Sequence, residues 1–265
     1  MTQDDGFITS FLNDKAEQCL SNQMITHSAF LDLRGKSAAA CLRLPHGVHR
    51  VFYGGFAGAE RCVAVYLPEY IEACDFGSLS EFFAESPDDC PVCALGVKKD
   101  KFSPPLSHRD YLGSLMGLGI SRDMTGDIIV NDDGCVIFVM KSLSAYIAEN
   151  LSSAGRGTLT VNILAPHEVA GLAGSEGVRT TFTVSSPRLD SIVKNGFRIG
   201  REAACEAIGK GLVFINDVEC TKPDRRVAEG DKITLRHKGR LIVTGFPGRS
   251  KKGREIVETE FFGKS

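Results

Sequence analysis

Apolar positions along the 265-residue chain recur with two different periods and divide it into three blocks. In the first, helical spacing predicts a helix over Phe7–Leu20, and "HRVFYGG" (His49–Gly55) and "RCVAVYLPEY" (Arg61–Tyr70) predict strands. In the second, "VCALGVKK", "DIIVN", "CVIFVMK" and "TLTVNIL" read as strands, while Ser107–Leu118 and "SLSAYIAENL" read as helices. The "DDG" between the second and third strands is a hairpin turn signal. In the third, Leu189, Ile192 and Val193 line one side of a short helix that Gly196 ends. A second helix, Arg201–Lys210, is expected to bury Ala204, Cys205 and Ile208 and to stop at Gly211. "LVFIND" and "DKITLRH" are strands around turns at Asn216-Asp217 and Gly230.

The middle order β-α-β-β-α-β is that of a split βαβ, ferredoxin-like domain, the order that RRM domains share. An RRM binds RNA by stacking bases on aromatic side chains of its central strands. "VCALGVKK" offers none and "CVIFVMK" only Phe138, so the topology is expected without its usual platform. The fold class expected is α+β, with an N-terminal α/β domain over 1–80 and an RRM-like domain over 88–168. A linker over 169–185, around "APHEVAGLAGSEG", precedes a C-terminal domain over 186–265.

Charge sharpens that division. The net charge is −2, but residues 187–265 carry 17 Lys and Arg against 11 Asp and Glu, net +6, and the rest of the chain is net −8. A basic end on an acidic body points to an anionic partner for the C-terminal segment. Arg236 to Arg254 holds seven Lys and Arg and no acidic residue, and the strand-like "EIVETEFF" that follows predicts a β-extension with a basic loop. The acidic start "MTQDDGF" predicts no secretory signal, and no apolar run approaches the roughly 18 residues of a membrane span. Nine scattered cysteines suit a reducing cytosol.

Three motifs invite other chemistry. "SHRDYLGSLMGLGI" (Ser107–Ile120) contains the His-Arg-Asp of a kinase catalytic loop, but position 115, where magnesium needs Asn, is Leu. Ser107 and Asp110 instead have capping-box spacing, followed by an apolar stripe of Tyr111, Leu112, Leu115 and Met116. His108 and Arg109 then fall in the first helical turn, where an RNA phosphate could compensate their charge. "CPVC" (Cys90–Cys93) has zinc-ligand spacing but lacks a second pair, so no metal is expected. "GGFAGAE" lacks the P-loop lysine and lies between two strands, so a hairpin loop is expected.

Arg188-Leu189-Asp190, Gly196, Arg201, Ala204, Ile208, Gly211, Val213, Asn216, Lys222, Gly230-Asp231 and Gly239-Arg240 stand at the offsets of an S4 RNA-binding domain, which this segment resembles. Gly200 replaces the usual serine before Arg201, and Asp217 replaces the turn glycine after Asn216. "RLD" also occurs in pseudouridine synthases, but here it lies within the S4 motif, and Asp190 is expected to be structural. With "GGFAGAER" and "HRDYLGSLMGLGISRDMTGDI" in front of it, the whole chain resembles the YlmH family of bacterial RNA-binding proteins.

That resemblance implies a cytoplasmic protein without enzymatic activity, cofactor or membrane contact, a monomer when free. It implies association with the large ribosomal subunit through rRNA and tRNA, in quality control or rescue of stalled large subunits. The alternatives are an S4-domain rRNA-modifying enzyme, such as a pseudouridine synthase or methyltransferase, and a division-linked interaction scaffold. The RNA contacts expected by position are Arg188, Lys194, Arg198, Arg201, Lys210, Lys222, Lys238, Arg240, Arg249, Lys251, Lys252 and Arg254, with His108 and Arg109 as a second contact. Arg201 and Arg240 carry the most motif support, and Lys194 could pair with Asp190 four residues before it.

Overall fold

The computed structural model describes residues 3–169 and 177–263. In chain order the elements are α1 (Gln3–Asn22), β1 (Thr26–His27), α2 (Leu33–Cys41), β2 (Val48–Tyr53), β3 (Val63–Pro68) and α3 (Phe76–Glu85). Then come β4 (Val92–Lys99), α4 (His108–Gly117), β5 (Thr125–Asn131), β6 (Gly134–Met140), α5 (Lys141–Asn150), β7 (Ser153–Ala154), β8 (Gly157–Ile163) and α6 (Pro166–Val169). The chain closes with β9 (Val178–Val184), α7 (Leu189–Gly196), α8 (Arg201–Gly209), β10 (Val213–Ile215), β11 (Val218–Glu219), β12 (Lys232–Leu235), β13 (Gly239–Arg249) and β14 (Glu255–Phe262). The class is α+β, with antiparallel sheets. Among the described residues no helix is long and apolar enough to cross a membrane.

These elements gather into two compact units rather than three. Unit 1 holds residues 1–35 and 42–174, and unit 2 holds 36–41 and 175–265. The first two blocks merge because they share one core. The middle sheet has the order β5-β6-β4-β8-β7, and its strands alternate. Leu95, Val97, Cys135, Ile137 and Val139 face α4 and α5, packing on Tyr111, Leu115, Ile147 and Leu151. Val92, Ala94, Val136, Phe138 and Met140 face the opposite way, into a cluster with Phe30, Tyr53, Phe56, Val65 and Phe83 of the first block. Every residue of β6 is buried, as a strand covered on both faces requires.

The first block is the hairpin β2–β3 with β1 on its other edge, in the order β1-β3-β2, and α1 packs on β3 with Leu12, Ala16 and Cys19 fully buried. The "GGFAGAER" loop of this hairpin lies against the middle sheet. Gly55 sits at φ +92°, and a Cβ there would fall 2.4 Å from Phe138, so both its conformation and its packing require glycine. Phe56 packs on Phe138 with ring centroids 4.8 Å apart. The N–H groups of Glu60 and Arg61 donate to the Asp127 carboxylate at 2.6 and 3.2 Å. The Arg61 guanidinium donates to the carbonyls of Thr125, Phe30 and Arg122. Burial pushes the Asp127 carboxyl up and the Arg61 guanidinium down from their ordinary values, against the mutual attraction of the two groups. The motifs "GGFAGAER" and "SRDMTGDI" therefore meet in one half-buried network.

In unit 2 the sheet order is β11-β10-β12-β13-β14-β9, covered on one side by α7 and α8. Leu189, Ile192, Val193, Ala204 and Ile208 are buried as expected, whereas Cys205 is only half-buried. In unit 1 the α4 stripe is likewise narrower than its spacing suggests, with Met116 exposed and Leu112 half-buried. The region expected as linker ends in structure: β9 pairs with β14 from Val178–Phe261 to Val184–Glu255, so residues 178–184 belong to the sheet. The "AGLAGSE" part of that linker, residues 170–176, lies outside the described residues.

Residues 36–41, expected in the N-terminal domain, are grouped with unit 2. The Lys36 ammonium, 4% exposed, lies 3.3 Å from the Asp217 carboxylate, which also holds Lys232 at 2.6 Å. The Ser37 hydroxyl accepts the N–H of Glu219. Burial raises the Asp217 carboxyl, but Lys36 and Lys232 outweigh it and hold the group below the usual carboxylate range. Asn216 and Asp217 both adopt positive φ, as a tight turn in this sequence requires.

Candidate nucleic-acid interface

The start of α7 is organised by a loop 35 residues further on. The N–H groups of Leu189 and Asp190, unpaired at a helix start, donate to the carbonyls of Arg225 and Pro223, and Val227 N–H donates to Pro187. This lays Arg188 beside Arg226 as an antiparallel bridge. Asp190, at the first turn, points inward: its side chain is 3% exposed and accepts the N–H of Ser191. The same carboxylate meets Arg188 Nε at 3.3 Å and an Arg201 guanidinium nitrogen at 3.6 Å. Those two side chains remain 45% and 74% exposed. One buried carboxylate thus draws together two arginines, one preceding α7 and one starting α8, while both side chains stay largely open to solvent. Guanidinium groups held in this way present donors to phosphate without first ordering a free side chain.

A groove continues from this point, lined by Pro187, Arg225, Arg226, Phe246, Gly248 and Arg249. Arg225 and Arg226 are exposed, and sequence reading passed over them. The signal was present as the pair in "KPDRRV", but only the loop's pairing with α7 reveals that it stands beside Arg188. Beyond the groove, β13 and β14 run into the basic hairpin. Arg249 pairs with Glu255 at 3.7 Å, the Arg254 guanidinium donates to the Thr183 carbonyl at 3.2 Å, and Lys251 and Lys252 are exposed at the tip. Lys222, exposed, accepts the N–H of Arg225 on its carbonyl and so belongs to this end of the unit.

Other expected contacts lie elsewhere. Lys238 is exposed in the β12–β13 turn, and Arg240 is the second residue of β13. Arg249 ends that strand, and ten residues of strand span about 30 Å. Arg240 is half-buried, its guanidinium stacked on Phe262 at 4.6 Å. Lys210 is exposed but pairs with Glu206 one turn earlier in α8. Lys194 and Arg198 are exposed at the C-terminal end of α7. The Asp190 carboxylate expected to engage Lys194 is taken by Arg188 and Arg201 instead. Asn216, Gly230 and Asp231 serve the fold: Asn216 donates to the Asp231 carboxylate and accepts Lys232 N–H, while Asp231 also accepts Ala228 N–H. Gly239, at φ +119°, would place a Cβ 2.3 Å from the Phe262 carbonyl oxygen.

In unit 1, His108 and Arg109 are exposed at the start of α4. Asp110 is engaged at the cap: the Ser107 N–H and hydroxyl both donate to its carboxylate at 2.7 Å, which holds it below the usual range. The Cys90 thiol donates to the Val92 carbonyl at 3.2 Å, and burial pushes both Cys90 and Cys93 thiols up. Among the described residues no group of three or more His, Cys, Asp or Glu is placed to hold a metal ion.

An α+β chain with a buried-carboxylate arginine pair and a basic hairpin is the class that fold and site define. Comparison with known proteins gives the family. A family model described as "Putative RNA-binding domain in YlmH" matches residues 92–167. The chain is 30% identical over 232 residues to "Ribosome-associated protein quality control protein P2" of Bacillus subtilis (strain 168), covering 87% of this chain and 85% of that protein. A solved structure, "Cell division protein ylmH from Streptococcus pneumoniae", aligns with 64% of this chain and 96% of its own at 16% identity and a TM-score of 0.49. The chain belongs to the YlmH family.

Proposed function

We propose that this chain is a non-enzymatic, cytoplasmic RNA-binding protein that associates with the ribosome, with unit 2 acting as an S4 domain. Its partners are large-subunit rRNA and tRNA, and its task is quality control on stalled large subunits. The observation that carries the reading is the Arg188–Asp190–Arg201 cluster beside Arg225 and Arg226. Exposed guanidinium groups gathered on one buried carboxylate suit phosphate, and so does the basic hairpin that continues the surface. The printed role of the Bacillus subtilis relative supports the ribosome as the place of binding. The element order of 92–163 supports an RRM-like middle domain. Asp190 is unsuited to nucleophilic or acid-base chemistry, because it is buried and its oxygens are occupied by two arginines and Ser191.

The test is co-sedimentation of the full chain with large subunits that retain peptidyl-tRNA. Wild type should co-sediment, and Arg188→Ala/Arg201→Ala should be released at a lower salt concentration. Wild type that stays in the supernatant, or a double variant released at the same salt as wild type, overturns the reading.

A further inference from the structure

Solitary exposed apolar side chains are ordinary on protein surfaces. Phe102 departs from that norm in degree and setting. It is 95% exposed, against 66% for Tyr70, the next most exposed aromatic among the described residues. Its loop is also tied down. Phe102 N–H donates to the Asp100 carboxylate at 3.2 Å, Asp100 N–H donates to the Thr158 carbonyl at 3.0 Å, and Thr158 N–H donates to the Ser103 hydroxyl at 3.1 Å. The ring is therefore displayed from a braced corner between β4 and α4. That corner is cationic. Lys98 and Lys101 flank the loop, Arg156 lies in the β7–β8 turn two residues before Thr158, and Arg109 is the second residue of α4; all four are exposed. Two carboxylates here are engaged at the backbone, Asp100 by Phe102 and Asp110 by Ser107, while the exposed Asp132 and Asp133 of the neighbouring β5–β6 turn, whose Asp133 carbonyl accepts Lys99 N–H, mark its acidic edge.

A fixed aromatic face among Lys and Arg is the arrangement by which proteins hold single-stranded nucleic acid, the ring stacking on a base and the cations following the backbone. The usual place for such a ring in a β-α-β-β-α-β domain is the open face of the central strands. Here that face is sealed, with Phe138 fully buried against Phe56. We propose that Phe102 is a stacking platform for an unpaired RNA base, a second RNA contact in unit 1 separate from the arginine surface of unit 2. The inference rests on the reading of the chain as an RNA binder, and it assigns that contact to a loop rather than to the sheet.

The chain contains no tryptophan, so Phe102→Trp introduces a single indole at the proposed contact. The probe is a single-stranded oligouridylate of about ten nucleotides, compared with a duplex of equal length, titrated into the full chain. Stacking should quench the indole with the single strand and leave it unchanged with the duplex. Phe102→Ala should weaken single-strand binding by about fivefold or more, while the melting temperature stays at the wild-type value because the ring touches little protein. Unquenched emission while an electrophoretic shift registers single-strand binding, or wild-type affinity in Phe102→Ala, overturns the proposal. Failure of the unit 2 reading looks different: Arg188→Ala/Arg201→Ala would then bind RNA as wild type does, with the indole quench retained. Absence of any RNA binding by the full chain overturns both.

Discussion

The two large sheets of this protein are similar in strand number and differently covered. The middle sheet is closed on both faces, by α4 and α5 on one side and by the first block's hairpin and its glycine loop on the other. Its aromatic, Phe138, is spent on the core. The six-stranded sheet of unit 2 is covered by α7 and α8, and the helix starts and connecting loops carry the exposed arginines. A shared β-strand architecture thus says little about which surface meets a ligand. What decides is which face another part of the chain has already occupied.

The most severe challenge to the sealed sheet is Phe138→Ala. Emptying that site should cost about 3–5 kcal/mol in denaturant unfolding, with the RNA affinity of the remaining folded protein unchanged. Lost RNA affinity without lost stability would mean that the face is open and used. The interior of unit 2 can be tested through charge. Asp217→Asn leaves Lys36 buried with a neutral partner and should cost about 3 kcal/mol at neutral pH. The Asp217 carboxyl is depressed in the folded state, so its contribution is present above the unfolded carboxylate pKa and is lost as pH falls through the folded one. The gap between wild type and variant should therefore close in acid. A gap that persists there would assign the loss to packing.

Much of this contrast was legible in the sequence. "CVIFVMK" is apolar at every position through Met140, which is the mark of a strand buried on both faces. The resemblance to an S4 domain singled out Arg188 and Arg201, which the structure brings together on Asp190, and the capping box explained Asp110. What the sequence hid is non-local. β9, "VRTTFTV", sits next to a Gly/Ala/Ser-rich run, and only its pairing with a strand some 80 residues later makes it part of a sheet. β1 and β7 are two-residue strands with no period to detect. Lys36 reads as an ordinary helix cation until Asp217 is placed against it. Arg225 and Arg226 stand beside Arg188 only because their loop caps α7.

Smaller effects separate the two ends of β13. Arg240→Ala removes a guanidinium from Phe262 and should cost about 0.5–1 kcal/mol of stability, with less loss of RNA affinity than Arg201→Ala. Thermal melting beside a binding titration reads both quantities. An Arg240 variant that loses as much affinity as the Arg201 variant would extend the RNA surface to the far end of the strand. Lys210→Ala should be smaller still, because that ammonium is already paired with Glu206, a helix pair worth about 0.2–0.5 kcal/mol.

The salt dependence of RNA affinity in wild type and in Arg188→Ala/Arg201→Ala tests the central claim most directly. Each phosphate contact releases counterions, so log K falls with log salt by about 0.7–0.9 per contact. With RNA held by the arginine surface of unit 2, the double variant should bind more weakly at every salt concentration and its slope should flatten by about two contacts' worth. Wild-type affinity and slope in the double variant would contradict the account and place the RNA elsewhere on the molecule.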